Sequence, residues 1–489
     1  MNRSIKACFL SSEVAPFAKT GGLADVVGSL PDALRRHGVD ASICLPLYLK
    51  IREGGYALTR TLSGIEVPFG AGSMTCHVWS GKTREGTPVY FIEREDLFDR
   101  PSLYGTPAGD YYDNLERFTF FSRAALQFLK RAGLKTDIVH CHDWQTGLVP
   151  AYLKTLYRSD PFYLDTVSIF TIHNIGYQGL FPPDKLPLTG IPFSEFHPEG
   201  LEYWGNISLL KAGIVYSDVV TTVSPRYSRE IQQAEMGLGM DGILRKRADS
   251  LYGILNGTDY SQWDPAADPH IVAGYHAGDL RGKRKDKDAL IAEMGLGEEL
   301  GRRPLLGFVS RLSSQKGCDL LLGIAEEIAG SDAGLVVLGT GEEPLESALL
   351  RVSEKHRERV AVRIGFDEPL AHRIMAGCDI LLVPSRYEPC GLTQMYGLRY
   401  GTVPVVRATG GLADTIVPFN VVTNEGNGFR FDDYGPGPFW SAVREALQLY
   451  RKPAAWKALM TNGMKADFSW DRSARTYAEI YRKLLSWDH

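Results

Sequence analysis

The chain has 489 residues, which allows about two or three domains and a large hydrophobic core. Hydrophobic residues make up 44% of it and charged residues 23%, values that are ordinary for a globular protein. A formal net charge of −4 at pH 7 argues against a protein that binds nucleic acid or an anionic membrane through a basic surface.

The cysteines and the apolar runs indicate a reducing compartment. The seven cysteines are scattered, odd in number and without C-x-x-C spacing, so we expect neither a disulfide framework nor a zinc site. The first apolar run, Ala7–Leu10, is much shorter than the core of a signal peptide, and no apolar stretch of the sequence is long enough to span a membrane. We therefore expect a cytoplasmic protein.

Strand-like and helix-like segments alternate along the chain, which is the pattern of parallel α/β domains. In the first half the predicted strands are Ala7–Leu10, Ala41–Pro46, Val89–Glu93, Ile138–Cys141, Ser168–Ile172, Val219–Val223 and Gly253–Leu255. In the second half, apolar runs of the kind buried on both faces of a parallel sheet predict strands at Leu305–Ser310, Leu335–Leu338, Val360–Gly365, Ile380–Pro384 and Val403–Val406. Helices are predicted at 317–329, 344–356, 369–377, 391–400 and 411–417, and an amphipathic helix that docks on a surface is predicted at 471–486.

The composition changes after Asn256-Gly257, where a turn-rich stretch leads into a basic cluster over 281–287. Aspartates are interleaved with these lysines and arginines, and such charge runs are usually solvated. We therefore interpret the cluster as the exposed face of a linker. The change divides the chain into a first domain, 1–257, and a second domain, 258–470.

A glycine turn between the first strand and the first helix is the earliest candidate site. Lys19 and the pair Gly21-Gly22 precede a helix with apolar residues on one face. Glycines let the backbone approach a ligand closely, and a helix N-terminus attracts phosphate. The same letters, TGGLAD, recur at 409–414. The alternative is that the glycines only close a tight turn and that Lys19 is solvated.

Polar residues also end two later strands of the first half. DIVHCHDW delivers His140, His142 and Asp143 at the carboxyl end of a strand, where open α/β sheets bind ligands. FTIHN places His173 and Asn174 at the end of the next strand. No third metal ligand is evident beside the histidine pair, which favours a buried, hydrogen-bonded pair over a metal site. His173 could hydrogen-bond a sugar or transfer a proton, or it could be a capped structural histidine.

Two loops of the second half carry the sharpest chemical signals. Arg311 and Lys316 follow a buried strand, where two cations suit a pyrophosphate, and a solvated loop is the alternative. In SRYEPCGLTQ the carboxylate of Glu388 precedes the start of a helix at Gly391, which suits sugar hydroxyls and an oxocarbenium-like transition state. No nucleophile is evident. The stretch Gly339-Thr340-Gly341 lacks the third glycine of a dinucleotide fingerprint, which disfavours NAD.

These motifs together resemble those of bacterial glycogen synthases, a glucosyltransferase group that includes starch synthases. The resemblance rests on KTGGLADVVGSLP, VHCHDWQTG, TIHNIGYQG, SRLSSQKG, PSRYEPCGLTQMYGLRYG and TGGLADT, which occur in this order and cover essentially the whole chain. It implies an α/β fold of two Rossmann-like doubly wound domains that face each other across a deep cleft, the GT-B type. It also implies that the C-terminal helix, 471–489, packs back on the first domain.

The resemblance further implies a reaction. Glucose would be transferred from ADP-glucose, with release of ADP and retention of the α configuration, to the non-reducing 4-hydroxyl of an α-1,4-glucan such as glycogen. Such enzymes need no metal or organic cofactor. Retention without an enzyme nucleophile fits a front-face mechanism, in which the leaving diphosphate helps to deprotonate the acceptor.

Residue roles follow from the resemblance motif by motif. As catalytic residues, Arg311 and Lys316 would hold the diphosphate, and Glu388 would lie beside the transferred glucose. His173 would bind the glucose and present its backbone carbonyl to the anomeric carbon. The other implied substrate contacts are Lys19, Gly21, Gly22, Asp143, Asn174, Asn256, Phe366 (stacked on adenine), Cys390, Gly391, Leu392 and Thr393. Tyr396 stands where related transferases often carry a second glutamate, which leaves recognition of the ribose unassigned.

Other functions stay open at this point. A related transferase could use UDP-glucose or a non-glucan acceptor, because no residue type here dictates adenine. A catalytically silent glucan-binding scaffold would be expected to lack the charged site residues, which this chain retains. An α-glucan phosphorylase would need a pyridoxal-phosphate lysine in its own context, and no such motif is evident. Aromatic residues could stack on glucan rings or pack in the core at Tyr104, Tyr111, Tyr112 and Phe118.

Overall fold

The computed structural model describes residues 4–106 and 109–486. The chain divides into two compact units, an N-terminal unit of Met1–Gly257 with Trp470–His489 and a C-terminal unit of Thr258–Ser469. The last three residues of the predicted helix 471–489 lie outside the described residues.

Strands and helices alternate in both units, with short 3-10 turns in several connections. The strands are β1 (Ile5–Leu10), β2 (Val39–Pro46), β3 (Thr59–Phe69), β4 (Gly72–Lys82), β5 (Pro88–Glu93), β6 (Gly105–Thr106), β7 (Gly109–Asp110), β8 (Ile138–His142), β9 (Val167–Ile172), β10 (Leu180–Phe181), β11 (Glu202–Tyr203), β12 (Asn206–Ser208), β13 (Val219–Thr222), β14 (Leu251–Gly253), β15 (Leu305–Val309), β16 (Gly334–Gly339), β17 (Val360–Ile364), β18 (Ile380–Val383), β19 (Val403–Arg407) and β20 (Phe429–Phe431). The helices are α1 (Gly22–Arg35), α2 (Leu49–Glu53), α3 (Glu95–Phe98), α4 (Asn114–Arg131), α5 (Leu148–Lys154), α6 (Leu186–Thr189), α7 (Leu209–Tyr216), α8 (Pro225–Glu230), α9 (Asp241–Lys246), α10 (Arg281–Glu293), α11 (Cys318–Leu322), α12 (Ala325–Gly330), α13 (Glu343–Lys355), α14 (Glu368–Gly377), α15 (Thr393–Arg399), α16 (Gly410–Thr415), α17 (Pro436–Tyr450), α18 (Pro453–Lys465) and α19 (Trp470–Leu485). Within the described part of the chain, no helix is long and apolar enough to cross a membrane.

The N-terminal unit is built on a mixed sheet in the strand order β14-β13-β9-β8-β1-β2-β5-β4-β3. From β14 to β5 all neighbouring strands run parallel. The central strands β8 and β9 are buried along their whole length, as expected for strands that are covered on both faces. The α/β pattern predicted for the first half is confirmed.

An antiparallel hairpin, β3–β4, extends one edge of this sheet, and the apolar pattern does not predict it. β3 pairs with β4, and β4 pairs with β5, both antiparallel. Much of β3 is exposed and its register shifts around Leu62, so neither a continuous apolar run nor a strict alternation marks it. The strand predicted at Gly253–Leu255 is also displaced, since β14 covers Leu251–Gly253.

The C-terminal unit contains an all-parallel sheet in the order β17-β16-β15-β18-β19-β20. Strands β15 to β19 match the predicted apolar runs, which confirms a second doubly wound α/β domain. The short strand β20 is not predicted.

The helix predicted at 317–329 is two helices, α11 and α12, with Gly323 at the end of the first. Glycine is a weak helix former, which fits a break at that point.

The basic cluster at 281–287 is not a solvated linker, and that interpretation is wrong. The cluster begins α10, and both Lys283 and Lys287 are buried. The ammonium of Lys283 donates to the carbonyl oxygen of Ala376 at 2.9 Å and to the hydroxyl oxygen of Thr402 at 2.7 Å. Burial lowers its pKa to about 8. The polar residues of the cluster therefore anchor α10 to the C-terminal unit.

Lys287 forms the second anchor of α10. Its ammonium donates to Oδ2 of Asp379 at 2.6 Å and to the hydroxyl oxygen of Tyr450 at 3.3 Å. Oδ2 of Asp379 also accepts the N–H of Leu305 at 2.9 Å. A buried charge is tolerated only when it is paired and hydrogen-bonded, and this network meets both conditions.

The last helix, α19, completes the N-terminal unit. The hydroxyl of Tyr481 lies 2.7 Å from Nδ1 of His140 on β8. Near its start, the carboxylate of Asp471 lies 3.0 Å from Nε2 of His37, which follows α1. The helix predicted at 471–486 is present, and its buried residues share one face that packs on α1 and β8.

Replacing Lys287 by methionine should destabilise the protein, because the Asp379 carboxylate would remain buried without its cation. We expect the free energy of unfolding to fall by about 3–5 kcal/mol in urea denaturation of the full chain. Lys285→Met on the same helix is the control, since Lys285 is exposed, and it should change stability by less than about 0.5 kcal/mol. Equal losses in the two variants would contradict the role assigned to the buried pair.

Candidate functional site

In each unit the strand order reverses at one point, and most of the predicted site residues follow the strands on either side of it. The exceptions are His173 and Asn174 after β9, Asn256 after β14 and Phe366 after β17. The reversal falls between β1 and β8 in the N-terminal unit and between β15 and β18 in the C-terminal unit. Open α/β sheets bind ligands beyond the carboxyl ends of their strands at such points. Each unit therefore carries its own candidate site.

The C-terminal unit brings two predicted catalytic residues together. Nζ of Lys316, after β15, donates to Oε2 of Glu388, after β18, at 2.6 Å. The hydroxyl of Ser385 donates to the same oxygen at 2.9 Å. Glu388 is buried, so its carboxylate is fixed between two loops. An ammonium has three donors, so Lys316 can bind a second anion while it holds Glu388.

The loop between β18 and α15 is held by the side chain of Gln394. Its Nε2 donates to the carbonyl oxygens of Cys390 at 3.2 Å and Gly391 at 2.6 Å. Gly391 has a φ of 71°, and a Cβ on it would lie 2.5 Å from Oε1 of Gln394, so the turn requires glycine. Leu392 precedes the helix and Thr393 is its first residue.

The second TGGLAD copy, at 409–414, is packed rather than open. The N–H of Gly411 donates to the carbonyl oxygen of Glu388 at 3.1 Å. A Cβ on Gly410 or on Gly411 would lie 1.9 Å from a carbonyl oxygen of the Glu388 loop, whereas a Cβ on Gly21 would meet nothing within 4 Å. The glycines of the second copy therefore let α16 support that loop, and only the first copy is an open turn.

Arg311 and Phe366 are exposed at the same edge of the C-terminal sheet. Arg311 follows β15, and its Nη2 lies 3.4 Å from Oε1 of Gln315. Phe366 follows β17 and is 86% exposed. An exposed aromatic ring at a ligand-binding edge is available to stack on a planar group.

Glu13 organises the first glycine turn in the N-terminal unit. Its Oε2 accepts the N–H groups of Thr20 at 2.5 Å and Gly21 at 3.2 Å. Its Oε1 accepts the hydroxyls of Thr20 at 2.5 Å and Tyr104 at 2.7 Å. The Glu13 carboxylate therefore accepts N–H groups that were expected to hold phosphate. Its negative charge makes the turn better suited to sugar hydroxyls than to phosphate.

Lys19 is paired within its own unit. Its Nζ donates to Oδ1 of Asp25 at 2.7 Å, and its carbonyl oxygen accepts from Nζ of Lys50 at 3.3 Å. The Lys19 side chain is 41% exposed. An ion pair this exposed adds little stability, so Lys19 can exchange Asp25 for another anion at small cost.

Three histidines are linked in the buried part of the N-terminal unit. The rings of His140 and His142 stack with centroids 4.3 Å apart, and Nδ1 of His142 lies 2.9 Å from Nε2 of His173. The hydroxyls of Tyr481 and Thr171 lie 2.7 and 2.6 Å from the two ring nitrogens of His140. The buried, hydrogen-bonded pair predicted for His140 and His142 is confirmed.

Burial keeps these histidines neutral. It lowers the pKa of His140 and of His173 to about 3, and the pKa of His142 falls well below its usual value for the same reason. In the bond between His142 and His173, one neutral ring donates and the other accepts. At neutral pH, His173 is therefore a hydrogen-bonding group and not an acid.

Asp143 lies against His173 at the end of β8. Its φ of 56° is unusual for a residue with a side chain, and its Oδ1 accepts the N–H of His173 at 2.8 Å. Burial raises the pKa of Asp143 to about 7, although the amides of His173 and Asn174 oppose this shift. Asn256 is buried, and its Oδ1 has no hydrogen-bond partner in residues 4–106 and 109–486. Both side chains are thus candidates for contact with a polar ligand.

The four aromatic candidates divide between core and surface. Phe118 is fully buried, which places it in the core. Tyr104 is held by Glu13, and the ring of Tyr111 lies 4.7 Å from the guanidinium of Arg100. Tyr112 is exposed.

Tyr396, at the position of the missing second glutamate, has a packing contact. Its ring stacks on Trp263 with centroids 3.9 Å apart, and Trp263 stacks on His372 at 3.7 Å. This packing contact does not identify the residue that would bind the ribose of the donor. Among the described residues, no three histidines, cysteines or acidic residues are grouped so as to hold a metal ion.

The sequence does not predict the roles of three residues that shape the candidate sites. Ser385 and Gln394 lie inside a recognised motif, but their roles depend on contacts that the motif does not reveal. Glu13 lies outside the recognised motif. Its position could have indicated a role, because Glu13 is a single acidic residue just beyond a buried strand, at the edge of the sheet where ligands bind.

Two family models match the chain in succession. The model described as starch synthase catalytic domain matches residues 6–246, and the model described as glycosyl transferases group 1 matches residues 297–459. The glycogen synthase of Koribacter versatilis is 47% identical over 476 residues, which cover 97% of each chain. The glycogen synthase of Syntrophotalea carbinolica is 47% identical over 479 residues, which cover 98% of this chain and 99% of the other.

Solved structures show the same fold. The catalytic domain of starch synthase IV from Arabidopsis thaliana, bound to ADP and acarbose, matches with a TM-score of 0.91 and 34% identity over 99% of this chain and 100% of that chain. A sucrose-phosphate synthase from Thermosynechococcus elongatus matches with a TM-score of 0.60 and 16% identity over 99% of each chain, which indicates the fold alone.

The buried histidines should make stability depend on pH. An unfolded histidine has a pKa near 6.5, and His140 in the fold has a pKa of about 3, so the unfolded state binds more protons between these values. Stability should therefore fall as the pH falls below 6.5. His140→Gln removes one such group, so its free energy of unfolding in urea should fall by about 2 kcal/mol less than that of the wild type between pH 7 and pH 5. Parallel profiles for the two proteins would contradict this account.

Proposed function

The chain belongs to the glycogen and starch synthase family of glycosyltransferases, and we propose that it transfers glucose from ADP-glucose to the non-reducing 4-hydroxyl of an α-1,4-glucan with retention of the α configuration. The family membership makes it a GT-B glucosyltransferase of glycogen synthesis. The observation that carries the finer proposal is the Lys316–Glu388 pair at the reversal point of the C-terminal sheet.

Arg311 and Lys316 would hold the diphosphate of the donor. Both follow β15, at the edge where α/β sheets bind ligands. A guanidinium offers a fork that matches phosphate oxygens, and an ammonium offers a compact charge. Together they would neutralise the charge that develops on ADP as it leaves.

Phe366 would stack on the adenine. Its exposed ring supports this role, and the Arabidopsis starch synthase IV catalytic domain is described as bound to ADP. A uracil ring could also stack there, so the choice of donor is decided by assay.

Glu388 would lie beside the transferred glucose. Lys316 and Ser385 both donate to Oε2, so Oε1 would accept a sugar hydroxyl. The negative charge would also stabilise an oxocarbenium-like transition state. The pocket around the sugar and the phosphates would be lined by Cys390, Gly391, Leu392 and Thr393.

The N-terminal unit would supply the remaining sugar contacts. His173, neutral at pH 7, would hydrogen-bond the glucose and direct its backbone carbonyl at the anomeric carbon. The ammonium of Lys19 would release the carboxylate of Asp25 and bind the donor instead. Because Glu13 occupies the amides of the first glycine turn, we assign that turn to sugar hydroxyls. Gly21 and Gly22 would let the sugar approach the turn closely, and further polar contacts would come from Asp143, Asn174 and Asn256.

The proposed reaction exchanges one bond for another at the anomeric carbon. The bond from C1 to the diphosphate oxygen breaks, and the bond from C1 to the acceptor O4 forms on the same face. The proton of the acceptor hydroxyl passes to the leaving diphosphate. A pKa of about 3 makes the His173 imidazole a weak base, which supports this route over deprotonation by His173.

Purified protein supplied with glycogen should incorporate glucose from ADP-glucose and release ADP. The rate with UDP-glucose should be lower, and the new linkages should be α-1,4, as measured by anomeric proton signals in NMR spectra. Faster transfer from UDP-glucose would overturn the choice of donor. Transfer from neither donor would overturn the proposed activity.

Glu388→Gln should lower kcat by about 100-fold or more, because the amide cannot stabilise positive charge at the sugar. ADP should bind at least as tightly as before in calorimetry, since Lys316 loses its carboxylate partner and keeps its charge. Glu354→Gln, at an exposed position on α13, is the control and should leave both values unchanged. A near-normal kcat for Glu388→Gln would refute the assigned role.

A further inference from the structure

Trp204 combines an exposed side chain with a strained backbone on the N-terminal unit. It is 83% exposed, and its φ is 51°. With Gly205, at a φ of 80°, it forms the two-residue turn between β11 and β12. Such a turn is made at lowest cost by Asn-Gly or Gly-Gly. Neither the exposed indole nor the left-handed backbone favours folding, so stability does not explain the choice of tryptophan.

Leu238 repeats this combination close by. Its φ is 47°, and it is 47% exposed. The hydroxyl of Tyr203, the neighbour of Trp204, donates to the carbonyl oxygen of Leu238 at 2.8 Å. Nε2 of Gln178 donates to the same oxygen at 3.0 Å, and Tyr177 beside it is half-exposed. We refer to Tyr177, Trp204 and Leu238 as the Trp204 patch.

The two strained turns are held from several sides. Oε1 of Glu202 accepts the N–H of Gly205 at 2.6 Å, and Nδ2 of Asn206 donates to the carbonyl oxygen of Trp204 at 3.3 Å. A Cβ on Gly239 would lie 2.1 Å from the hydroxyl of Tyr203. Strained backbone persists when its surroundings determine it in this way, so the indole is presented on a fixed support.

The Trp204 patch is continuous with the proposed sugar site of the same unit. The N–H of Tyr177 donates to the carbonyl oxygen of Asn174, at 3.2 Å, so one loop joins the patch to His173. A Cβ on Gly179, in the same loop, would lie 2.6 Å from the ring of Trp144, which follows Asp143.

We propose that the Trp204 patch binds glucose units of the acceptor glucan behind its reacting end, an inference that rests on the proposed function. A pyranose ring presents a flat face of C–H groups, which stacks on the electron-rich face of an indole. Three side chains offer much less area than the roughly 800 Å² per partner of a stable protein interface, which disfavours a protein partner. The patch would therefore distinguish long acceptors from short ones.

Trp204→Asn tests this without disturbing the turn, because asparagine fits the left-handed conformation. We expect the KM for maltoheptaose to rise about 5- to 10-fold, with little change in the KM for maltose, the KM for ADP-glucose or kcat. The melting temperature should stay the same or rise, since strain is relieved. Val422→Asn, at an exposed apolar position of the C-terminal unit, is the control and should change none of these values.

Three results would overturn the proposal: an unchanged KM for maltoheptaose, an equal rise in the KM for maltose, or a wild-type dimer that Trp204→Asn converts to a monomer in sedimentation. Equilibrium binding of maltoheptaose in calorimetry, without any donor, tests the patch independently of catalysis. If no donor supports transfer but wild-type protein binds maltoheptaose more tightly than Trp204→Asn does, the proposed function fails and the glucan-binding patch stands.

Discussion

Parallel pairing of the central strands is the constraint on which both candidate sites depend. Neighbouring parallel strands end at the same edge, so loops that are far apart in sequence are delivered side by side. Lys316 and Glu388 are 72 residues apart and form an ion pair because β15 and β18 are adjacent. In the other unit, the pairing of β8 with β9 brings Asp143 to the backbone of His173 in the same way. Any change that shifts one of these ladders would separate the side chains, even with every site residue intact.

The histidines of the N-terminal unit and two lysines of the C-terminal unit are stabilised in different ways. Burial keeps the histidines neutral, and they form hydrogen bonds with hydroxyls and with one another. In the C-terminal unit, Lys287 forms an ion pair with Asp379 and Lys316 forms one with Glu388. This division suits the proposed chemistry, because sugar hydroxyls need neutral hydrogen-bonding partners whereas a diphosphate needs cations.

Most of the framework could be predicted from the sequence, because strands buried on both faces appear as continuous apolar runs. The positions of Arg311, Lys316 and Glu388 at the carboxyl ends of strands could be predicted too, since each lies just beyond such a run. The features that could not be predicted depend on residues that are distant from each other in the chain. The amphipathic face of α10 was hidden because lysines occupy buried positions, and their partners at Asp379 and Tyr450 lie more than ninety residues away. Neither the exposed hairpin β3–β4 nor the turn at Trp204 has a periodic pattern of apolar residues. The turn also has tryptophan at a position where two-residue hairpin turns favour asparagine or glycine.

The placement of α19 has a consequence for synthesis on the ribosome. The hydroxyl that lies against Nδ1 of His140, in the middle of the first sheet, belongs to Tyr481 on α19. The chain between them includes the whole C-terminal unit. A nascent chain therefore emerges with its N-terminal sheet uncovered over β8 until the whole C-terminal unit has been made, although domains near the N-terminus usually fold first. For this protein, a segment that is made after the second unit completes the first.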